Sequence, residues 1–95
     1  MTLTELRYIV ALAQDGNFSR AAERCSVSQP TLSVAIARLE DELGVQLFER
    51  GKGFVSPSAV GVRVVEQAKQ ALLETEKVRQ IALQGRDQLD GPLRL

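Results

Sequence analysis

The chain has 95 residues, 44% of them apolar and 25% charged, and its 12 basic and 12 acidic side chains give a formal net charge of zero. This composition is typical of one globular domain and excludes a disordered or membrane-spanning chain. Histidine is absent and Cys25 is the single cysteine, so the sequence predicts no enzyme, metal site, cofactor or disulfide and favours the reducing cytoplasm.

The first two predicted helices are separated by a turn. The first covers about residues 4–14, with Thr2 or Thr4 as its cap. Its inward stripe is predicted from four residues at helical spacing, Leu3, Leu6, Val10 and Ala13, with Ile9 on its flank. A turn signal at residues 15–17 leads into a second helix of about residues 18–25. Arg20 stands at the start of this helix, where an arginine either binds a phosphate group or remains a solvated charge.

The third predicted helix has two faces of different character. Ser28 caps it, and Gly44 ends it in a left-handed conformation. Its apolar stripe is predicted from Leu32, Ile36, Leu39 and Leu43. Its other face is small and uncharged, and is formed by Pro30, Ser33, Val34 and Ala37. Such a face suits the DNA major groove, which presents thymine methyl groups and hydrogen-bonding base edges; packing against another helix is the alternative.

A β-hairpin is predicted directly after this helix. Residues 45–50 are typical of a strand, residues 51–53 of a hairpin tip, and residues 54–55 of the start of the return strand. Arg50 and Lys52 place positive charge on this hairpin, and phosphate contact is the favoured interpretation of both. Helices followed by such a hairpin predict a mainly α fold. Residues 1–57 would form a winged helix-turn-helix domain in which the hairpin is a two-stranded wing.

A long last helix is predicted over about residues 57–84, with Gly85 as its end. Residues 58–85 would form a linker helix, and 86–95 a hinge toward a missing effector domain. Small and apolar residues recur along the helix at three- and four-residue spacing. These seam residues are Gly61, Val64, Val65, Ala68, Ala71, Leu72, Thr75, Val78 and Ala82, and Ile81 widens the seam. The seam predicts that the chain dimerises, as a homodimer formed through this helix. The alternative is that the seam folds onto its own domain.

Several stretches of the sequence carry a family resemblance. The blocks AAERCSVSQPTLS and LEDELGVQLFER, followed by SPSAVG, resemble the DNA-binding domain of LysR-type transcriptional regulators over residues 3 to about 90. The resemblance implies a winged helix-turn-helix, a dimerising linker helix and an effector domain that supports tetramers. The segments TLTELRYIVALAQ and ERCSVSQPTLS are most similar to the peroxide-sensing activators of that family, which implies a role in the oxidative-stress response.

The resemblance also assigns residues to roles at the DNA. The family's base-reading positions fall on Gln29, Pro30, Ser33 and Val34, and Thr31 matches a position that supports phosphate or base contact. Val34 replaces an arginine of many relatives, so apolar contacts and DNA shape are expected to favour A·T-rich half-sites of an inverted repeat. The complete predicted DNA-contacting set is Arg20, Ser28, Gln29, Pro30, Thr31, Ser33, Val34, Arg38, Arg50 and Lys52.

The neutral net charge leaves a second function open. Modules that bind nucleic acids are usually basic, so a winged helix that binds proteins is the alternative to one that binds double-stranded DNA. DNA is favoured if the charges are segregated, with Glu40, Asp41 and Glu42 as a solvated acidic face at the far end of the third helix. Arg38 could bind phosphate or pair with Glu42. Cys25 is interpreted as a small hydrophobic residue rather than a redox group.

Overall fold

The computed structural model describes residues 1–90, and within them the chain forms four helices and a two-stranded antiparallel hairpin. In chain order the elements are α1 (Leu3–Asp15), α2 (Phe18–Arg24), α3 (Gln29–Leu43), β1 (Phe48–Arg50), β2 (Val55–Pro57) and α4 (Ala59–Asp90). The predicted mainly α, winged helix-turn-helix fold is therefore confirmed. Of the predicted hinge at 86–95, residues 91–95 lie outside the described residues.

The helix ends are set by local hydrogen bonds that the sequence predicts. Thr2 caps α1 in a reciprocal capping box with Glu5. The Ser28 side chain accepts the hydrogen bond from the first-turn N–H of α3, and a proline occupies that turn. Gly16 and Gly44 follow α1 and α3 with φ of 64° and 71°, a left-handed conformation that glycine adopts without steric cost.

The hydrophobic core lies where α2, α3 and α4 meet α1. Three of the four residues in the predicted α3 stripe are buried, whereas Leu43 is 37% exposed. In the predicted stripe of α1, Leu6 is buried and Val10 and Ala13 are half-buried against the core, whereas Leu3 is exposed. Ile9, predicted at the flank, and Leu12 are fully buried. The reason is that α1 is covered by three helices, so its buried face is wider than one stripe and is centred on Ile9 and Leu12.

The first strand is shorter than predicted and covers only Phe48–Arg50, because neighbouring helix ends use the backbone groups of residues 46–48; the return strand covers Val55–Pro57. The Glu40 carboxylate accepts hydrogen bonds from the N–H groups of Leu47 (2.7 Å) and Phe48 (3.2 Å). The Ser58 hydroxyl donates to the carbonyl of Gln46 (2.6 Å), and the Ser58 N–H donates to that of Leu47 (2.9 Å). Pairing therefore begins only at Phe48, opposite Pro57.

Helix α4 begins and ends later than the sequence predicts. Ser58 accepts a hydrogen bond from the N–H of Gly61 (3.0 Å) at its start. The helix therefore begins at Ala59, after the predicted residue 57, and Pro57 belongs to β2. The helix continues through Gly85 to Asp90, since a helical glycine costs only about 1 kcal/mol relative to alanine. Among the described residues, no helix combines the length and apolar character that a membrane span requires.

The seam of α4 divides into an inner and an outer half. Val65 and Ala68 are buried in the core of the same protomer, and Gly61 is buried against the backbone of Leu47. These three residues thus pack within the protomer, as the alternative of a seam folded onto its own domain predicts. Val64, Ala71 and Leu72 are half-buried, and the outer seam residues are exposed: Thr75, Val78 and Ala82.

Two glycines of α4 offer a matched test of this packing. A Cβ at Gly61 would overlap the carbonyl oxygen of Leu47, whereas a Cβ at Gly85 would meet nothing within 4 Å. We expect Gly61→Ala to lower the free energy of unfolding by about 1–3 kcal/mol through overpacking, and Gly85→Ala to raise it by up to about 1 kcal/mol. Urea denaturation of both variants measures this; equal effects would contradict the close approach at Gly61.

Candidate nucleic-acid interface

The amino-terminal half of α3 presents the predicted base-reading face to the outside. Gln29, Pro30 and Thr31 are exposed, Val34 is 50% exposed, and Ser33 is half-buried. The opposite side of the helix is anchored by three buried residues, Leu32, Ile36 and Leu39. Because both faces are carried by one rigid element, the exposed side chains hold fixed positions relative to the core.

Side-chain hydrogen bonds arrange the polar groups at this helix end. The Ser28 hydroxyl accepts the N–H of Thr31 (3.2 Å) and donates to its Oγ1 (2.8 Å). Ser28 therefore shapes the helix end, and the hydroxyl proton of Thr31 is left for an external acceptor. The Ser19 hydroxyl of α2 donates to Oε1 of Gln29 (3.0 Å) and ties the first residue of α3 to the preceding helix.

Two shallow grooves flank the exposed face of α3. One, of about 450 Å³, lies toward α1 and is lined by Tyr8, Pro30, Thr31, Val34, Ala35 and Arg38. The other, of about 270 Å³, lies toward the wing, and Gln29, Ser19, Phe18, Arg50 and Phe54 are among its lining residues. The structure thus gathers six predicted contact residues around one surface. Arg20 and Lys52 lie outside both grooves, and Lys52 is at the exposed wing tip.

Aromatic side chains that the sequence analysis missed support the wing. The Arg50 guanidinium lies 4.6 Å from the centre of the Phe18 ring, a cation–π distance that holds the arginine beside α2. Phe54 is 56% exposed, and its ring covers Gly51 so closely that a Cβ there would lie 2.5 Å from it. The Val55 N–H donates to the carbonyl of Gly16 (2.9 Å), which joins the wing to the α1–α2 turn.

The structure separates the paired cations from those that remain available. Arg24 donates to both carboxylate oxygens of Asp15, at 2.8 and 2.9 Å, and this bond lowers the pKa of Asp15. Among residues 1–87, whose side chains are described, no ion pair involves the four predicted phosphate ligands: Arg20, Arg38, Arg50 and Lys52. Pairing of Arg38 with Glu42 is thus excluded, and Glu42 contacts the Met1 amino group instead, at 2.8 Å.

The predicted solvated acidic face is wrong for Glu40. Its carboxylate is partly buried and accepts both wing N–H groups described above. A sequence signal existed, since an acidic residue toward the carboxyl end of a helix opposes the helix dipole and needs compensating donors. For Ser19 no signal existed, because its partner Gln29 is ten residues away in another helix.

Cys25 lies at the end of α2, half-buried against the core. Burial raises the pKa of its thiol, and the nearby Arg24 only partly opposes this. Because the thiolate is the reactive form of cysteine, the raised pKa disfavours oxidation at this position. The structure therefore supports the interpretation of Cys25 as a small hydrophobic residue.

Comparison with known proteins agrees with this geometry. Residues 3–62 match the LysR family of bacterial regulatory helix-turn-helix proteins. The chain belongs to that family. Over its full length it is 45% identical to the hydrogen peroxide-inducible genes activator of Pectobacterium carotovorum subsp. carotovorum, of which it spans 32%.

Two solved structures of LysR-family proteins superimpose closely on the chain. A full-length OxyR variant from Pseudomonas aeruginosa is 57% identical, with a TM-score of 0.88 over 94% of this chain and 30% of its own. The CbnR DNA-binding domain, solved in complex with DNA, is 31% identical, with a TM-score of 0.84 over 90% of this chain and 99% of its own. The chain is therefore a helix-turn-helix DNA-binding domain of the LysR family. It spans about a third of the curated relatives that it matches.

Glu40 gives a test of how this domain holds its wing. Glu40→Ala leaves two backbone N–H groups without an acceptor, so we expect it to lower the free energy of unfolding by about 1.5–3 kcal/mol. The amides of Leu47 and Phe48 should also exchange faster with solvent. The adjacent exposed Asp41→Ala is the matched control and should change little. Urea denaturation and amide exchange measure both variants; equal behaviour would mean that Glu40 does not hold the wing.

Proposed function

We propose that this domain binds inverted-repeat promoter DNA as a homodimer, in a regulator of the response to hydrogen peroxide. One observation carries the proposal. A small, uncharged and exposed helix face lies beside cations without carboxylate partners in residues 1–87, whereas Arg24 is paired with Asp15. Cations free of internal partners can neutralise phosphates, and a small face can approach base edges.

The two parts of the surface take different roles at the DNA. Arg20, Arg38, Arg50 and Lys52 bind the phosphate backbone and fix the orientation of the domain. Gln29, Pro30, Thr31, Ser33 and Val34 enter the major groove, and the Ser28 cap aligns them. Because Val34 cannot donate hydrogen bonds to guanine, the half-sites are A·T-rich, and thymine methyl groups meet Pro30 and Val34.

The peroxide response follows from the names of the relatives. The Pectobacterium protein is called a hydrogen peroxide-inducible genes activator, and it is similar over the whole of this chain. Peroxide would be sensed outside this domain, since the thiol of Cys25 has a raised pKa and little thiolate character. Because bacterial promoter DNA is cytoplasmic, the proposal also places the protein in the cytoplasm, and effector domains could assemble dimers into tetramers.

The outer half of α4 supports the homodimer. Val78 and Ile81 are 68% and 67% exposed and lie three residues apart, on one face of α4. Large apolar side chains grouped on an exposed helix face favour association with a partner helix. Beside the inner half lies an apolar groove of about 290 Å³, to which Leu6, Leu43 and Val64 contribute. A second copy that covers this groove with its own outer seam would bury both surfaces. Dimerisation therefore uses Val64, Ala71, Leu72, Thr75, Val78 and Ala82.

Selection of bound duplexes from a random pool tests the proposed function. The 95-residue chain should select two A·T-rich half-sites related by two-fold symmetry. Insertion of about 5 bp between them, half a helical turn, should abolish simultaneous engagement, and a single half-site should bind far more weakly. Footprinting and mobility shifts at several salt concentrations measure this. Failure to enrich any sequence would favour the protein-binding alternative instead.

Lys52 and Ser33 test the division between phosphate and base contacts. Lys52→Ala should weaken binding to all sequences alike and reduce the slope of log K against log salt by about one unit. Ser33→Ala should weaken the selected site by about 1–3 kcal/mol without a comparable loss on random DNA. Titrations of both variants on specific and random duplexes measure the difference. Equal losses on the two kinds of DNA from both variants would contradict this division.

The outer seam can be tested without disturbing the core. Replacement of both Val78 and Ile81 by Glu should convert the dimer to a monomer, because two charges would be buried at the interface. Leu73→Glu is the control, since Leu73 is also exposed but lies off the seam. Sedimentation equilibrium measures the mass, and the helical circular dichroism should be unchanged. A double variant that stays dimeric would show that the helices associate elsewhere.

A further inference from the structure

Ser19 connects α2 to Gln29, the first residue of α3. Its hydroxyl donates a 3.0 Å hydrogen bond to Oε1 of Gln29. Both residues are exposed, and both line the groove between α3 and the wing. The bond is therefore not a core contact, and its effect falls on the surface that meets DNA.

This bond decides which side of the Gln29 amide faces outward. A glutamine amide has one acceptor oxygen and two N–H donors. With the oxygen turned toward Ser19, the NH₂ group is directed away from it, and among residues 1–87 the structure gives that NH₂ no hydrogen-bond acceptor. Thr31 is in the same position, because its Oγ1 accepts from Ser28 and its own proton is free. The amino-terminal end of α3 thus presents donors.

The donor pattern predicts a base preference. A free glutamine pairs with adenine by accepting from N6 and donating to N7, whereas guanine offers two acceptors, O6 and N7, in the major groove. A Gln29 oxygen that is held by Ser19 is less able to accept from adenine N6, while its NH₂ group can still donate to guanine. We propose that Ser19 is a positioning residue that makes Gln29 prefer guanine over adenine at the base it contacts. This inference rests on the proposed DNA binding.

The inference places one guanine-preferring position in an otherwise A·T-rich half-site. It also explains why a residue on α2, which reads no base itself, would influence specificity. A direct phosphate contact by Ser19 would have a different signature, because loss of a phosphate contact weakens binding to all sequences alike and carries no sequence information.

The experiment compares four proteins on the selected operator: wild type, Ser19→Ala, Ser19→Thr and Gln29→Ala. Affinities are measured for duplexes that carry each base pair at every position of the half-site, at three salt concentrations. Ser19→Ala should reduce the guanine-over-adenine ratio about tenfold at one position only, with an unchanged salt slope. Ser19→Thr keeps the hydroxyl and should restore the wild-type ratio.

The double variant Ser19→Ala/Gln29→Ala separates an action through Gln29 from a direct one. It should behave as Gln29→Ala alone, because Ser19 has nothing left to orient. A uniform loss of affinity in Ser19→Ala, a changed salt slope, or an added effect in the double variant would overturn the inference. If the wild-type chain selects a site and Ser19→Ala has the same base preferences, the inference is wrong but the proposed function stands. If the wild-type chain selects no site, both the inference and the proposed function are wrong.

Discussion

The backbone of residues 46–48 is held between the ends of two helices, and the arrangement of the wing depends on this junction. On one side of this segment, the Glu40 carboxylate of α3 accepts hydrogen bonds from two of the segment's N–H groups. On the other side, Ser58 before α4 donates hydrogen bonds to two of the segment's carbonyl groups. Gly61 then lets α4 approach the same backbone without steric overlap. These polar contacts act together with the shared hydrophobic core to fix α3, the wing and α4 relative to one another.

The charge distribution explains how a neutral chain can present a surface suited to an anionic partner. Three of the acidic groups have partners within the domain: Asp15 binds Arg24, Glu40 accepts backbone N–H groups, and Glu42 contacts the Met1 amino group. The cations near α3 and the wing have no such partners among residues 1–87. Net charge is a poor guide for such a domain, because the sum over all residues does not show which charges have partners and which lie together on one surface.

Helix α4 combines two structural roles along one continuous seam. Its first turns complete the core, and its outer turns extend beyond the domain with apolar residues exposed. A substitution in the inner half therefore acts on folding, whereas one in the outer half leaves the core of the protomer unchanged. The same periodicity serves both roles, since a helix buries whichever part of its apolar stripe finds a neighbour.

The sequence by itself determined the helix order, the caps, the winged fold and the family, because these depend on local hydrogen bonds, helical periodicity and a contiguous motif. The tertiary structure decided the strand lengths, the continuation of α4 through Gly85, and the division of its seam. It alone identified Glu40 and Ser19 as partners of the wing and of Gln29. Such contacts join residues seven to ten positions apart in different elements, and only the packing of those elements brings the groups within hydrogen-bonding distance.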